Sequence, residues 1–534
     1  MSETVVTQEE QNTEVLENAD QIMENALDVA GGLVQERPQS AELILRQILK
    51  IDPEHLGGLQ MLGLCKHRMG ENAEAIEIIQ TALDLDPTAA DNWNNMGLAY
   101  GALGNYDRSI DCLKMALQYK PEQFLYMNNI ALQLRATNHH EDAVETLKKA
   151  LEIDSSPQLL VNLGGIYGEM KQVDNAIDCF KQAVASNPDY PPAHVDLTFS
   201  YALQKKWKDA FAEYEWRFTY YPQMSYYIRE YDQDKVWNGQ DSLEGKTILI
   251  YSEQGAGDGI QFIRYTKQLK AMGATVYVHC APSLNNLFDR IETVDRVVNR
   301  DIVNGTGPKF PEYDYQCAIM SLPHLLQDFD ISGEPYIKPA TDKFKGYLEE
   351  EYGKGKFNVG IIWAGSPSHP NDKNRSIHLK HFACLQDIEG VRLLCLQMDK
   401  RARAYGSISH PENVDKETDF QQTNEIVDYC KDAGDIEMID LTTMIQDFED
   451  TATILAGLDL LITCDTAALH LAGAMGVPTW ALIPYNPDWR WGLEGTTTEW
   501  YDSVKLFRQE EKDNWEQVLE EVRKELNETV LQNK

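Results

Sequence analysis

The sequence predicts an N-terminal all-α array of helical repeats followed by two Rossmann-like α/β halves. Three observations indicate this fold class. Residues 21–222 repeat a pattern with a period of about 34 residues, strand-to-glycine-loop patterns open at 246 and 357, and residues 458–487 read as one βαβ unit. Because 534 residues are too many for a single hydrophobic core, several domains are expected.

The repeat period is marked by residues that close each unit. Five prolines and one serine stand at intervals of 34, 34, 34, 33 and 34 residues: Pro53, Pro87, Pro121, Ser155, Pro188 and Pro222. Each follows an amphipathic segment, and a proline cannot continue a helix. Small residues recur at one matching place: Ala75, Ser109, Ala143, Ala176 and Ala210. Glycine occupies another, at Gly63, Gly97 and Gly164. Two antiparallel helices approach closely where one supplies a small residue and the other a large one.

This pattern resembles the tetratricopeptide repeat, with six units over residues 21–222, the first of them degenerate. The resemblance implies a superhelix whose concave face holds a peptide or protein; a spacer or a dimerisation arm is the alternative. Five asparagines on the first helices of their units are the candidate acceptor-binding residues: Asn94, Asn95, Asn128, Asn129 and Asn162. They form either an inward ladder that binds an extended backbone or a solvated outer face.

Composition excludes two classes of partner. The net charge of −37 at pH 7 opposes binding to nucleic acid and to an anionic membrane surface. No apolar run is long enough to cross a bilayer, so we expect no membrane span. Residues 1–20 lack the basic and apolar regions of a signal peptide, and their polar, acidic composition predicts a disordered tail.

The nine cysteines are scattered, without a C-x-x-C pair or metal-type spacing. Such cysteines are typical of buried positions in a protein of a reducing compartment. We therefore expect a cytoplasmic protein without a metal site.

Residues 223–245 are a junction between the array and the α/β part. The segment is rich in aromatic residues where a flexible linker would carry Gly and Ser. The sequence thus predicts a packed joint.

Two α/β halves follow, over residues 246–340 and 341–534. In the first half, a strand at 246–251 enters a loop with three glycines, and a helix at 260–272 and strands at 274–279 and near 315 come after it. In the second half, strands are predicted at 357–363, 391–396, 436–441, 460–463 and 479–483, and a C-terminal helix at 514–531.

The βαβ unit at 458–487 contains a turn that is a candidate ligand-binding site of the second half. Asp465 and Thr466 are candidate N-caps of a helix over 467–475, and they follow a buried strand. Open α/β sheets bind ligands at the carboxyl ends of their strands, and a helix N-terminus favours an anion such as a nucleotide diphosphate. An ordinary capped helix is the alternative interpretation.

Several stretches of the α/β part resemble bacterial glycosyltransferases that carry tetratricopeptide repeats. They are SEQGAGDGIQFIRY, GIIWAGSPSHPNDKNRSIHL, DFEDTATILAGLDLLITCDTAALHLAGAMGVP and PYNPDWRWG with LFRQ. The catalytic part of that family is similar to heptosyltransferases of the GT-B fold, and the combination with repeats also resembles flagellin-modifying and O-linked N-acetylglucosamine transferases. The resemblance implies an inverting, metal-independent transfer from a nucleotide-sugar, without another cofactor, to a protein acceptor such as flagellin.

The resemblance also implies roles for individual residues. Asp258 matches the position of the catalytic base, with an N-cap of the following helix as the alternative role. Candidate residues for binding the donor and its diphosphate lie in three loops and one helix: Gly257, Gly365, Arg375, Asp465, Thr466, Ala467, Ala468 and His470. Arg375 is either a fork for phosphate oxygens or a surface partner of Asp372. His470 is either a ligand contact or a histidine satisfied within its helix.

Two other functions remain open at the level of the sequence. The chain is either a transferase acting on lipopolysaccharide or another surface glycan, or a non-catalytic repeat scaffold with a degenerate transferase domain.

Overall fold

The fold consists of two compact units, Met1–Ala193 and His194–Lys534. In this computed structural model, the described residues are 8–222, 224, 231–298, 301–302, 308–338, 343–367, 369, 371–398 and 438–532.

The first unit is all helical. Its described helices are α1 (Gln8–Leu33), α2 (Pro38–Ile51), α3 (Leu56–Arg68), α4 (Asn72–Leu85), α5 (Ala90–Ala102), α6 (Tyr106–Tyr119), α7 (Phe124–Ala136), α8 (His140–Ile153), α9 (Pro157–Glu169) and α10 (Val173–Ser186). Each odd-numbered helix packs on the next, and α11 (Pro191–Leu203) crosses into the second unit. The predicted helical array is confirmed.

Close contacts between paired helices explain the periodic small residues. A Cβ atom at Gly63 would stand 2.4 Å from Ile79, and one at Gly164 would stand 2.4 Å from Phe180. Ala75, Ala143 and the other small residues of that series are buried. The small-against-large pairing predicted from the sequence is therefore the packing rule of the repeats.

The turn between the helices of a pair repeats with the same period. Five residues there have positive φ angles of 80°, 75°, 60°, 58° and 57°, namely Gly70, Gly104, Asn138, Lys171 and Lys205. The left-handed conformation suits glycine and costs a residue with a Cβ atom.

The N-terminal segment differs from its prediction. Helix α1 begins at Gln8, so residues 8–20 are helical where the sequence predicted a disordered tail. Glu, Gln, Ala and Leu are good helix formers. Ala30 near the end of the helix, and Val34 directly after it, pack in a cluster with Leu45 and Leu62. Residues 1–7 of the predicted tail lie outside the described residues.

The second unit contains two parallel sheets. The first has the order β3-β2-β1-β6, with β1 (Thr247–Tyr251), β2 (Thr275–His279), β3 (Arg296–Val297) and β6 (Tyr315–Ala318). The second has the order β12-β11-β10-β7-β8-β9, with β7 (Phe357–Ile362), β8 (Val391–Cys395), β9 (Ile439–Asp440), β10 (Leu460–Cys464), β11 (Thr479–Ile483) and β12 (Val504–Arg508). A short antiparallel pair joins β4 (Asp301–Ile302) to β5 (Pro308–Lys309). The predicted α/β part is confirmed.

Helices accompany both sheets. They are α12 (Trp207–Tyr214), α13 (Arg217–Tyr220), α14 (Ala256–Phe262), α15 (Thr266–Ala271), α16 (Asn285–Asp289), α17 (Leu322–Leu326), α18 (Lys343–Tyr352), α19 (Asp372–Arg375), α20 (Phe448–Leu455), α21 (Ala467–Met475) and α22 (Trp515–Gln532). Helix α22 packs its buried face, with Val518 and Leu526, into the core of the second sheet.

The last predicted repeat belongs to the second unit, whereas the sequence placed the end of the array at residue 222. The Phe211 ring meets the Phe262 ring edge-on at 5.9 Å, and Trp207 meets Trp500 at 5.3 Å. The fully buried Arg217 donates to Glu253 at 2.9 Å. These contacts make α12 and α13 part of the α/β core.

Parts of the predicted junction and boundaries fall outside the described residues. These parts are residues 223, 225–230 and 339–342, with the start of the strand predicted at 436–441. In the described part of the junction, Tyr231 stacks on Tyr251 at 4.0 Å and Trp237 is buried. Aromatic packing of this kind is what the composition of the junction predicted.

Candidate functional site

Four parallel strands direct the candidate site residues to their carboxyl ends. The loop after β1 leads to Asp258, the loop after β7 to Arg375, and β10 runs directly into Asp465. The loop after β11 adds Arg490, which the sequence interpretation did not select. The ion pair of Asp258 with Arg490 links the loop after β1 to the loop after β11. The hydrogen bond from Arg375 to Asp465 links the loop after β7 to the end of β10. The loops of both sheets therefore meet at one site, the place where open α/β folds bind ligands.

Asp258 lies in the first turn of α14, which begins at Ala256 rather than near residue 260 as predicted. Its Oδ2 accepts a hydrogen bond of 2.9 Å from the Gly255 backbone, and its Oδ1 is ion-paired with Arg490. Burial raises the pKa of the Asp258 carboxyl above its ordinary value, and the charge of Arg490 opposes that rise. Its side chain retains 19% exposure, so it is accessible at the surface of the site.

Arg490 is held by three acceptors. Besides Asp258, its Nη1 donates to Asp488 Oδ1 at 2.9 Å and its Nε donates to Gln261 Oε1 at 2.6 Å. Although burial acts to lower it, the neighbouring carboxylates raise the pKa of Arg490. The motif PYNPDWRWG, placed directly after a strand, was the sequence signal for this residue.

Arg375 bridges two of the loops. Its Nη1 donates to the Asp465 carbonyl oxygen at 3.0 Å, and its Nε lies 3.4 Å from Asp372 Oδ1. Its side chain is 12% exposed. A Cβ atom at Gly365 would stand 2.5 Å from the Arg375 guanidinium, so a larger residue there would displace the guanidinium from its position. Arg375 thus contacts Asp372, as one interpretation held, and also reaches the N-terminal side of α21.

The start of α21 matches its prediction. Thr466 is the N-cap, with extended φ and ψ of −141° and 168°, and Ala467 and Ala468 begin the helix. Burial and the charge of Asp488 raise the pKa of Asp465 to about 6. A helix N-terminus beside an arginine offers both N–H donors and a cation to an anionic group.

His470 is satisfied inside the fold. It is buried, its Nδ1 lies 2.9 Å from the Tyr501 hydroxyl, and its ring stacks on Trp491. Burial lowers the pKa of His470 well below its ordinary value, so the ring is neutral. These contacts favour the interpretation of a histidine satisfied within the protein over a ligand contact.

Gly257 acts as a packing glycine. A Cβ atom there would stand 2.9 Å from His470 Cδ2 and 3.4 Å from Ala467 Cα. Helix α14 of the first half therefore packs directly on α21 of the second half.

The asparagines of the repeats form hydrogen bonds between successive units. Asn129 donates to Asn94 at 2.8 Å, and Asn162 donates to Asn128 at 2.6 Å. Asn94 also donates to Asn95 at 3.3 Å. Asn94, Asn129 and Asn162 are half-buried. The predicted ladder is thus two hydrogen-bonded sets of amides, one of Asn129, Asn94 and Asn95 and one of Asn162 and Asn128, in contrast to a fully solvated face.

The described ranges contain neither a candidate metal cluster nor a membrane-spanning helix. No group of three or more His, Cys, Asp or Glu side chains in these ranges is arranged to hold a metal ion. Within the same residues, every helix is too short or too polar to cross a lipid bilayer.

Comparison with known proteins identifies the repeats. The tetratricopeptide repeat signature matches residues 57–88, 90–123, 126–157 and 157–190. Among solved structures, a thermophilic TPR protein of Thermus thermophilus is 20% identical, and the match covers 33% of this chain and 98% of that one with a TM-score of 0.31. PilF of Pseudomonas aeruginosa is 18% identical, with 40% and 99% covered and a TM-score of 0.34.

The match to one curated protein is longer than the stretch matched by the repeat signature. Protein FlbA of Caulobacter vibrioides is 26% identical over 298 residues, which cover 52% of this chain and 46% of FlbA. The chain thus spans about half the length of this relative. Residues 57–190 of the chain are tetratricopeptide repeats, and an α/β region follows them.

Proposed function

We propose that the α/β region is a GT-B glycosyltransferase that moves a sugar from a nucleotide-sugar donor to an acceptor hydroxyl. The observation that supports this function best is the meeting of Asp258, Arg375 and Asp465 at the carboxyl ends of strands from two parallel sheets. Such a site combines a carboxylate base with cationic and backbone donors for a leaving diphosphate.

The transfer requires one base and one stabilised leaving group. The acceptor oxygen attacks the anomeric carbon, its proton passes to the Asp258 carboxylate, and the bond from the anomeric carbon to the diphosphate oxygen breaks. The electron pair of that bond leaves with the nucleoside diphosphate. Attack opposite the leaving group inverts the anomeric centre, and a positioned base contributes about 10²–10⁴-fold to the rate.

The leaving diphosphate binds between Arg375 and the start of α21. Arg375 already donates to the Asp465 carbonyl oxygen, so its guanidinium lies beside the free N–H groups of Thr466, Ala467 and Ala468. These donors are in place before the reaction, which is the condition for effective charge stabilisation. The transfer proposed here is independent of a metal ion.

The repeats capture a protein acceptor in this proposal. Tetratricopeptide arrays hold peptides on their inner faces, and the amides of the asparagine ladder suit the N–H and C=O groups of an extended backbone. Flagellin or another surface protein, modified in the cytoplasm, is the acceptor that the resemblance to flagellin-modifying transferases favours. A lipopolysaccharide or other glycan is the alternative acceptor.

A non-catalytic scaffold is the second candidate function. Its supporting observation is that Asp258 is already ion-paired with Arg490, while Gly257 contacts α21 without room for a methyl group. In a scaffold, the same contacts would serve only to join the two halves.

Nucleotide binding separates the two functions. We expect calorimetric titration of the full-length protein with UDP, GDP, ADP, CDP and CMP to detect selective binding of one nucleotide. The Arg375→Ala variant should bind it at least about tenfold more weakly, because a charge-assisted hydrogen bond is lost. An Arg46→Ala variant, which loses an exposed repeat arginine, is the matched control. Failure of every nucleotide to bind would support the scaffold.

A further inference from the structure

The carboxylate of Asp258 lies among several ionisable groups. Asp488, on the loop after β11, and Glu253, on its own loop, carry negative charge that disfavours the ionised form. His369 from the loop after β7 and Tyr214 from α12 are within electrostatic reach of Asp258. Burial lowers the pKa of His369 and raises that of Tyr214, so both favour their neutral forms.

His470 on α21 completes this surrounding, and it is neutral because burial lowers its pKa. A carboxylate placed among acids and neutral groups, and largely removed from water, tends to hold its proton. A protonated carboxyl group cannot accept the proton of an acceptor hydroxyl.

Arg490 contacts Asp258 from the opposite half of the α/β region. Contacts with Asp488, Gln261 and Trp489 fix the position of the Arg490 side chain. Asp488 and Gln261 accept from two edges of the guanidinium, at 2.9 and 2.6 Å. The guanidinium carbon stands 4.2 Å from the centre of the Trp489 ring. The side chain is 9% exposed, so solvent screens the ion pair with Asp258 weakly.

We propose that Arg490 is the positioning residue of Asp258: it keeps the carboxylate ionised and holds it in place at the site. This role rests on the proposed transferase function. Arg490 acts through Asp258, while Arg375 and the start of α21 bind the diphosphate. All three nitrogens of Arg490 already donate to side chains of the protein, so Arg490 acts on Asp258 and not on the diphosphate.

The pH dependence of turnover tests this role. Donor turnover by the full-length protein is measured as kcat/KM between pH 5 and 9 for wild type, Arg490→Gln, Arg490→Lys and Arg46→Gln. Loss of the guanidinium raises the pKa of the base, so the acid limb of the Arg490→Gln profile should move upward by about one pH unit or more. Arg490→Lys keeps a cation near the carboxylate, so its limb should lie between those of wild type and Arg490→Gln. Arg46→Gln should follow wild type.

Binding measurements distinguish positioning from phosphate binding. Arg490→Gln should keep the nucleotide affinity of wild type within about threefold, whereas Arg375→Ala should lose at least about tenfold. An unshifted acid limb in both Arg490 variants would overturn the proposal, as would a loss of nucleotide affinity equal to that of Arg375→Ala. If Arg490→Gln does not fold, the Arg490→Lys profile decides the matter alone, since it too must shift. Absence of nucleotide binding and turnover in wild type would instead remove the transferase function itself.

Discussion

Asp465 combines two properties at one residue. Its carbonyl oxygen accepts from Arg375, while its carboxyl group is raised in pKa to about 6 by burial and by the charge of Asp488. The folded protein therefore keeps the Asp465 proton to a higher pH than the unfolded chain does, since a free aspartate has a pKa of about 4. Ionisation of this group in the folded state lowers stability as the pH rises through that window.

An Asp465→Asn substitution should remove this titration. The free energy of unfolding of the variant, relative to wild type, should rise by about 1–3 kcal/mol as the pH increases from about 4 to 6.5. Urea unfolding at several pH values measures the difference. The variant Asp387→Asn, which loses an exposed carboxylate, is the control. A constant difference between Asp465→Asn and wild type across this range would contradict the assignment.

Single residues also mark the limit of sequence interpretation. Asp258, Arg375 and Thr466 were selected from local motifs, and each lies in a segment that follows a parallel strand. Arg490 was passed over because its partner Asp258 is 232 residues away in the chain. A pairing over that separation depends on the packing of two sheets, which local periodicity does not encode.

At the scale of elements, the sequence predicted helices and strands with a regular apolar pattern, but it did not predict the effects of contacts between elements. The bounds of α21 and β11 agree with the sequence prediction to the residue. Helix α14 begins earlier than predicted, at a segment with three glycines that disfavours a helix. One of these glycines, Gly257, allows α14 to pack directly on α21, so tertiary contact overrides helix propensity there. Strand β12, with the sequence VKLFR, was missed because Lys505 interrupts its apolar pattern, whereas β11, of the same length, ends in an uninterrupted apolar run.

The left-handed turns of the repeats give a prediction for one element. Lys171 has a φ of 58° at a position where Gly70 and Gly104 serve in other units. Lys171→Gly should raise the free energy of unfolding by about 1 kcal/mol, because a non-glycine residue is strained there. The reverse change, Gly104→Lys, should lower it by a similar amount, since a Cβ atom at Gly104 meets nothing within 4 Å and only backbone strain is added. Thermal and urea unfolding measure both changes, and destabilisation by Lys171→Gly would contradict this account.

At the scale of the whole molecule, the border between the two compact units lies inside the predicted repeats. The second unit begins at His194, so α12 and α13 are built into the α/β region although their sequence continues the repeat pattern. Sequence periodicity could not reveal this, because it reports how a helix pair packs internally and not which neighbour covers its outer face. The ion pair of Arg217 with Glu253 joins α13 to the loop after β1, and both side chains are 0% exposed.

Two truncated chains test the border. A chain of residues 194–534 should fold, unfold cooperatively and keep donor turnover while losing protein modification. A chain of residues 223–534 should be less stable by at least about 3–5 kcal/mol, because Glu253 is left buried without its cation. Urea unfolding followed by tryptophan fluorescence and a donor turnover assay make the comparison. Equal stability of the two chains would show that α12 and α13 are dispensable.

In the proposed function, the amide ladder of the repeats would also shape selectivity. An extended segment that docks on it exchanges amide–amide hydrogen bonds for amide–peptide bonds, so each rung contributes only a small net free energy. Affinity then grows with the number of rungs engaged at once, as in multivalent binding. Amides contact the main chain, which every substrate shares. In the proposed function, such a surface would tolerate many side chains and discriminate by length and extension.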